Sequence, residues 1–311
     1  MKTSTDDTPS RPKFVGLGEL LWDVFPDQRR PGGAPANFAW HANQLGAQGL
    51  VVSRVGADPL GDELVDFLDS RGLVSDHVQR DDEQPTGTVS ITTSPDGQPD
   101  YTIHEPVAWD FLTCTDALVA LFSEVAAVCF GTIAQRLPTS RETINACLDA
   151  MPETALKVYD INLRKATWEL ATVERSLDRA DIVKLNDDEL ELLTGRLEWS
   201  GAGPAEIAAH LQERYQLDGV WITRGADGCL LRDGNQLVEH GGIAVEVVDT
   251  VGAGDSFTAA MIWACWMHWP LSESAELANR VGALVASRPG GMPDLTDQLP
   301  ALMESGSWCA S

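Results

Sequence analysis

The stretch Asp249-Thr-Val-Gly-Ala-Gly-Asp-Ser-Phe257 decides the fold, because its glycines join a predicted strand over 243–248 to a predicted helix over 252–268. A glycine-rich turn at the start of a helix leaves backbone N–H groups exposed at the positive end of the helix dipole, which suits an anion such as phosphate. Asp255 follows these glycines, so its carboxylate can lie beside a bound anion. It is either a base that takes a proton from an alcohol attacking phosphorus, or a first-turn acid that only complements the dipole.

Outward from this turn, apolar patterns of strand and helix length alternate along the chain. This alternation is typical of an α/β fold with a mainly parallel sheet covered on both faces. Because ligands of such folds bind at the carboxyl ends of the strands, the residues after each strand are the candidate site residues. Strands are predicted over 13–18, 49–56, 125–130, 156–161, 182–185 and 220–223, with hairpins over 88–103, turning at 94–97, and over 229–240. Further helices are predicted over 33–46, 61–71, 141–150, 167–179, 187–194, 205–215 and 272–287.

The composition excludes some classes of partner and compartment. The net charge of −25 disfavours nucleic acid and anionic membranes as partners, since both would repel the surface. Six cysteines without a C-x-x-C pair indicate reduced thiols in a cytoplasmic setting. Residues 1–12 are polar and are predicted to be a disordered tail, not a signal peptide. The apolar run 258–269 is too short to span a bilayer, and its tryptophans Trp263, Trp266 and Trp269 are expected to face the core.

Polar residues near the first strand and the next helix form one candidate site. Gly32 and Gly33 allow the backbone to approach closely at the start of that helix. Asp23 and Asn37 flank the two glycines and supply the acceptors and donors that a polyhydroxyl ligand needs. The alternative is a turn and a helix entry without a ligand, which explains the glycines but not the flanking polar residues.

Three later strand ends carry weaker signals. Arg164 suits a phosphate or a sugar hydroxyl, or a structural ion pair. Asn186 and Glu189 have the spacing of a helix capping box, with a magnesium or phosphate-water relay as the functional alternative. The segment Thr223-Arg-Gly-Ala-Asp-Gly228 is a turn that tolerates phosphate. There is no Walker A motif, no zinc motif and no nucleophile elbow.

Taken together, these motifs resemble the ribokinase-like (PfkB-type) carbohydrate kinases. The block at 32–37 resembles the N-terminal signature of that family, and 249–257 matches its C-terminal signature residue for residue. Asn186 and Glu189 match its N-x-x-E motif, and 223–228 looks like its nucleotide-contacting turn. The resemblance runs from about residue 13 to about residue 295, and the segments around Gly-Gly-Ala-Pro-Ala-Asn and Glu105-Pro-Val-Ala-Trp-Asp110 are most similar to fructokinases.

The resemblance implies a three-layer α/β/α domain over 13–311 with a small β-sheet lid built from about 19–30 and 87–104. It implies Asp255 as the catalytic base, with the amides of Gly252, Ala253 and Gly254 as the anion hole. It places the sugar at Asp23, Gly32, Gly33, Asn37 and Arg164. It places ATP at Asn186, Glu189, Thr223, Gly225, Gly228 and Asn279. It implies Mg²⁺ held through water by Glu189, and in many members a monovalent cation such as K⁺ beside Asp249, the Val251 carbonyl and the loop 287–291.

The reaction expected from the resemblance is phosphorylation of D-fructose by ATP to D-fructose 6-phosphate, with Asp255 as general base. Another sugar or nucleoside, such as ribose, 2-keto-3-deoxygluconate or adenosine, remains an alternative acceptor. A non-catalytic sugar-binding regulator is a second alternative, and the intact Asp255 counts against it. A dinucleotide-dependent oxidoreductase is a third, although Gly16-Leu-Gly18 lacks the third glycine of that fingerprint. A homodimer formed through the lid is also expected to be possible.

Overall fold

The computed structural model describes residues 11–93, 99–163, 168–197, 199 and 202–304. Its strands are β1 (Lys13–Leu17), β2 (Leu21–Val24), β3 (Arg29–Gly32), β4 (Gln48–Gly56), β5 (Val78–Asp81), β6 (Gly87–Thr93), β7 (Pro99–Ile103), β8 (Ala127–Gly131), β9 (Leu156–Asp160), β10 (Ile182–Asn186), β11 (Gly219–Thr223), β12 (Cys229–Asp233) and β13 (Gln236–His240). Nine of them form the central sheet, in the order β13-β12-β11-β10-β9-β8-β1-β4-β5. All neighbours from β11 to β5 in this order are parallel, whereas β12 and β13 are antiparallel additions at one edge.

The strand order reverses direction beside β1. The chain first runs outward from β1 to β4 and β5, and then returns to β8 on the other side of β1. In open parallel sheets, the crevice at such a reversal, beyond the carboxyl ends of the strands, is the place where ligands bind. The topology therefore points to the loops that follow Leu17 and Gly131.

Helices cover both faces of the central sheet, as the alternating pattern predicts. They are α1 (Ala34–Gln44), α2 (Pro59–Ser70), α3 (Asp116–Phe122), α4 (Pro138–Asp149), α5 (Leu170–Leu177), α6 (Asp187–Arg196), α7 (Pro204–Tyr215), α8 (Ala253–Trp266), α9 (Leu271–Ala286) and α10 (Leu299–Glu304), with short 3-10 helices over Ala108–Phe111, Ile133–Gln135 and Gly225–Asp227. Successive strand residues point to opposite faces, so Val15 packs with one apolar core and Phe14 with the other. The α/β fold class is confirmed.

A second sheet of four strands, in the order β3-β2-β6-β7, is separate from the central sheet. It is formed by the segments expected to make the lid, and β2 pairs parallel with β6 although 66 positions separate Leu21 from its partner Gly87. The turn predicted at 94–97 lies outside the described residues. Glycine 87 packs directly under Trp109, since a Cβ there would lie 2.1 Å from the indole nitrogen. This contact attaches the small sheet to the central domain.

The strand predicted over 243–248 is wrong. This segment has no regular secondary structure and pairs with no described strand. Its backbone instead bonds to the end of α9, where the amides of Val248 and Asp249 donate to the Ala286 carbonyl over 2.9 and 3.2 Å. The segment adds no strand beyond β13, the edge of the central sheet, and its apolar side chains stay outside the core. Val247 is 60% exposed.

Other expectations need smaller corrections. The tryptophan stripe is not uniformly buried, because Trp266 near the end of α8 is 47% exposed. The sequence does not predict the elements α3 and β5, because both are short: α3 has seven residues and β5 has four. Arg11, expected in the tail, donates hydrogen bonds to the carbonyls of Asn43 and Gly46, and residues 1–10 lie outside the described residues.

Candidate active site

The start of α8 is a close crossing of two glycine-containing loops. Gly252 precedes the helix with φ of 77°, a conformation that disfavours side chains. A Cβ on Gly252 would lie 2.5 Å from the Cα of Gly291, so neither loop has room for a larger residue there. No side chain caps the helix, and the Ala253 amide makes only a 3.3 Å bond to the Thr250 carbonyl. The helix start is therefore open, as its glycines predict, and such a start suits an anion.

Asp255 lies in this first turn and contacts α1. The side-chain amide of Asn37 donates to Asp255 Oδ2 over 2.7 Å, although 218 positions separate the two residues. Asn37 is 3% exposed, and its Oδ1 has no hydrogen-bond partner among the described residues. A buried acceptor without a partner is costly unless a ligand supplies the donor. The predicted base and a predicted sugar residue therefore meet, with one acceptor available to a hydroxyl group.

The first residue of the motif, Asp249, connects three segments. Its Oδ1 accepts from the Val251 amide over 3.0 Å, and its Oδ2 accepts from the Gly290 amide over 3.0 Å. Its Oδ2 also accepts from Nη1 of Arg30 on the small sheet, over 2.9 Å. The carboxylate predicted to hold a monovalent cation thus carries an ion pair with a guanidinium that is 35% exposed.

The glycines before α1 have a structural reason. A Cβ on Gly32 would lie 2.4 Å from Asp23 Oδ2, so this glycine makes room for the carboxylate on the neighbouring strand. Gly33 has φ of 112°, and a Cβ there would meet the carbonyl of Glu19 at 2.4 Å. The two glycines therefore allow Asp23 to lie close to the start of α1, the helix that carries Asn37. The sequence does not show this connection between the glycines, Asp23 and Asn37.

Asn186 and Glu189 form the predicted capping box. Asn186 Oδ1 accepts from the Glu189 amide, and Glu189 Oε2 accepts from the Asn186 amide, both over 2.8 Å. Glu189 Oε1 accepts in addition from the amide of Leu163 over 2.9 Å. Burial raises the pKa of Glu189, while the nearby Lys184 acts in the opposite direction. The carboxylate of Glu189 is thus buried and held in place by two backbone amides, near the carboxyl ends of the parallel strands.

Lys184 is a site residue that the sequence reading missed. It is 6% exposed on β10, and its Nζ donates to Asp160 Oδ1 over 3.0 Å. Thr258 of α8 donates to the other oxygen of Asp160 over 3.2 Å. Burial alone would lower the pKa of Lys184, but the charges of Asp160, Glu189 and Asp255 outweigh it and the pKa is raised. The available signal was a single charged residue inside the apolar strand Ile182-Val-Lys-Leu185.

The predicted nucleotide turn lies further along the same edge. Gly228 has φ of 84°, and a Cβ there would lie 2.1 Å from the His240 carbonyl, so this glycine is required by close packing. Gly225 has φ of 54° and open space around it. Thr223 ends β11 and is partly exposed. Asn279 on α9 is 9% exposed, and its side-chain amide donates to the Ala275 carbonyl and to the Cys229 sulfur.

The structure thus brings Asn37, Gly252, Asp255, Gly291 and Lys184 together around the start of α8. Arg164, the remaining predicted sugar residue, lies outside the described residues.

No helix in the described part of the chain has the length and apolar character needed to cross a bilayer.

Comparisons with known proteins agree with this geometry. The model of the pfkB family of carbohydrate kinases matches residues 12–298. A fructokinase of Vibrio alginolyticus is 30% identical over 305 residues, which are 92% of this chain and 96% of that protein. A Pyrococcus horikoshii sugar kinase, solved in complex with ATP, has a TM-score of 0.77 at 25% identity and covers 93% of this chain and 97% of its own. A double mutant of Vibrio cholerae O395 fructokinase, solved with fructose, ADP and a potassium ion, has a TM-score of 0.77 at 25% identity, with coverages of 95% and 98%.

Proposed function

Because the chain belongs to the pfkB family of carbohydrate kinases, we propose that it transfers the γ-phosphoryl group of ATP to D-fructose and releases D-fructose 6-phosphate and ADP. The observation that carries the proposal is the contact of Asp255 with Asn37 at the uncapped start of α8. This contact places three groups next to one another: the uncapped helix start, which suits an anion, the carboxylate of Asp255, and the acceptor Oδ1 of Asn37.

In this reaction Asp255 acts as the general base. The primary hydroxyl of the sugar loses its proton to Asp255 as its oxygen forms a bond to the γ-phosphorus, while the bond from that phosphorus to ADP breaks. Asn37 holds the carboxylate in position through Nδ2 and accepts a second sugar hydroxyl at Oδ1. Asp23, beside Gly32, provides a further acceptor for the sugar. Positioning of this kind is a main source of rate enhancement in phosphoryl transfer.

Charge on the transferred group is stabilised by the start of α8. The amides of Gly252, Ala253 and Gly254 point toward the phosphoryl oxygens and belong to the positive end of the helix dipole. When Mg²⁺ is bound with ATP, it neutralises charge on the phosphate oxygens. Both oxygens of Glu189 already accept backbone amides but keep lone pairs for water, which fits a residue that holds the magnesium ion through water and not directly.

ATP lies along the segment 241–249. This segment begins against the turn 225–228, where a Cβ on Gly242 would lie 2.2 Å from the Ala226 carbonyl, and ends at the anion site. Its apolar side chains Val245, Val247 and Val248 are 38%, 60% and 59% exposed and offer an apolar surface to the adenine ring. Thr223, Gly225 and Asn279 complete the nucleotide side.

The small sheet acts as a lid over the sugar. Arg30 of β3 reaches Asp249 at the anion site, so the lid and the phosphate loops are in contact. Such a lid excludes water, which competes with the sugar for the phosphoryl group. The lid edges β3 and β7 are also where a homodimer would form, because unpaired strand edges favour pairing with a second chain.

The test is a panel of acceptors with ATP and Mg²⁺, in which kcat/KM is compared for fructose, ribose, 2-keto-3-deoxygluconate and adenosine. We expect fructose to have the highest kcat/KM and the product to carry the phosphate on C6, as read by NMR. A higher kcat/KM for another acceptor would replace fructose in the proposal. ATP turnover without any phosphorylated acceptor would contradict it.

A further inference from the structure

The strongest unassigned feature of the site is the ammonium group of Lys184. It projects from β10 to the first turn of α8, where a methyl group built on Gly254 would lie 3.0 Å from Nζ. The side chain of any residue other than glycine at position 254 would therefore press on the ammonium group. Gly254 serves two purposes in this geometry: it exposes its amide, and it lets a charged group reach the anion site.

The hydrogen-bonding capacity of Lys184 is only partly used. An ammonium group has three N–H donors, and within the described residues Nζ donates to Asp160 alone. Asp160 is itself fixed by Thr258, so the position of the ammonium group is set from two sides. A buried cation with unused donors, next to helix amides that face an anion site, is complementary to a phosphoryl group.

The alternative is that Lys184 only balances charge. Asp160, Glu189 and Asp255 bring three carboxylates close to one another, and a buried cation reduces their repulsion. Charge balance accounts for a lysine in this place, but it leaves two of the three N–H donors of Nζ without an acceptor among the described residues.

We propose that Lys184 is a catalytic residue whose ammonium group donates hydrogen bonds to the oxygens of the transferred γ-phosphoryl group. This inference rests on the kinase reaction proposed above but not on the identity of the sugar. Lys184 keeps its proton throughout: the bond from the γ-phosphorus to ADP breaks, the bond to the sugar oxygen forms, and the sugar proton goes to Asp255. The ammonium group adds a full positive charge to the partial charges of the helix amides as the phosphoryl group moves.

The test compares two nucleotides that differ in the γ-phosphoryl group. Mg²⁺-bound ADP and its β,γ-methylene triphosphate analogue are titrated by calorimetry into the wild type and Lys184→Met. We expect unchanged ADP affinity, analogue affinity reduced by about 10- to 100-fold, as for loss of a hydrogen bond to a charged group, and a lower kcat. Lys157→Met is the matched control, because Lys157 lies on the neighbouring strand β9 away from its carboxyl end, and it should change neither affinity.

Equal losses for both nucleotides, or no loss for either, would overturn the assignment and favour charge balance alone. If Lys184→Met fails to fold because Asp160 is left unpaired, Lys184→Met combined with Asp160→Asn removes both charges, and the same selective loss of analogue affinity is expected. A wild type that binds both nucleotides but does not phosphorylate fructose would refute the substrate and leave this assignment standing. A wild type that binds neither nucleotide would overturn both.

Discussion

Asn37 donates its side-chain amide to the carboxylate of Asp255 over 2.7 Å, so the helix after the small sheet orients the acid at the start of α8. We expect Asn37→Ala to lower kcat/KM for the sugar by about 10- to 100-fold, since it removes a hydrogen bond to a charged group and the acceptor Oδ1. Asn37→Asp keeps the shape but places a second negative charge beside Asp255, so its loss should be larger. Steady-state kinetics with varied sugar measures both, and equal activity of Asn37→Asp and the wild type would exclude this role.

Asp255→Asn tests the base directly. We expect kcat to fall by roughly 10²- to 10⁴-fold, the usual contribution of a general base, while ADP affinity is retained. Asp116→Asn is the control, because Asp116 is an exposed acid in the first turn of α3 and only complements a helix dipole. If both variants kept full turnover, Asp255 would not be the general base, and its carboxylate would only complement the dipole of α8.

Gly252→Ala should destabilise the protein in two ways. First, any residue with a side chain loses about 1–2 kcal/mol of stability in the left-handed backbone conformation of Gly252. Second, the added methyl group would collide with Gly291, which lowers the stability further. Gly72→Ala isolates the first effect, because Gly72 has a similar φ of 71° with nothing within 4 Å of its would-be Cβ. Urea denaturation should therefore give a larger loss of unfolding free energy for Gly252→Ala than for Gly72→Ala, and comparable losses would mean that the crossing of the two loops is relaxed in solution.

His41 should make stability depend on pH. It is 1% exposed, its Nε2 lies 2.9 Å from the Gly291 carbonyl, and burial lowers its pKa from 6.5 to about 4. Below pH 6.5 the unfolded chain binds a proton that the native protein does not, so stability falls as pH decreases toward 4 and this contribution then levels off. The full effect is roughly 3 kcal/mol.

The measurement is the free energy of unfolding from pH 7 to pH 4 for the wild type and His41→Gln. The variant should show a smaller decrease over this range, because glutamine does not titrate. His268→Gln, which changes an exposed histidine, serves as control. Parallel curves for the wild type and His41→Gln would show that His41 has the same pKa in the native and unfolded states.

Arg30→Met should increase the response to potassium. In the wild type the guanidinium of Arg30 occupies one oxygen of Asp249, which we propose as a monovalent-cation ligand together with the Val251 carbonyl. Without Arg30, the carboxylate is free of this competing cation, so activity without K⁺ should fall and the K⁺ concentration for half-maximal activation should decrease. Turnover measured against KCl, with ionic strength held by a bulky organic cation, tests this, and identical K⁺ dependence of the two proteins would place the cation elsewhere.

The sequence predicts those parts of the site whose partners are close along the chain. The capping box of Asn186 and Glu189 follows from a spacing of three residues, and the open start of α8 follows from its glycines. Most strands of the central sheet and most helices that cover it are also predicted, because their apolar residues recur with a clear strand or helix spacing. The family resemblance, and with it the fold class, is confirmed by the comparisons.

Features that depend on distant segments were not predictable. The ion pair of Arg30 and Asp249 joins positions 219 apart, and no local pattern indicates it. The segment 243–248 has the apolar pattern of a strand, but its end bonds to the carbonyl of Ala286 on α9 and not to a strand, and no local pattern indicates this distant partner. Lys184 is an isolated charge in a strand until the fold places it beside Gly254.

The 218 positions between Asn37 and Asp255 have a consequence for biosynthesis. Translation produces Asp23 and Asn37, which are proposed to bind the sugar, early, whereas the residue proposed as the base appears only when about four-fifths of the chain has been made. A chain that ends before Asp255 therefore contains Asn37 without the carboxylate that its side-chain amide contacts, and it cannot complete the proposed site.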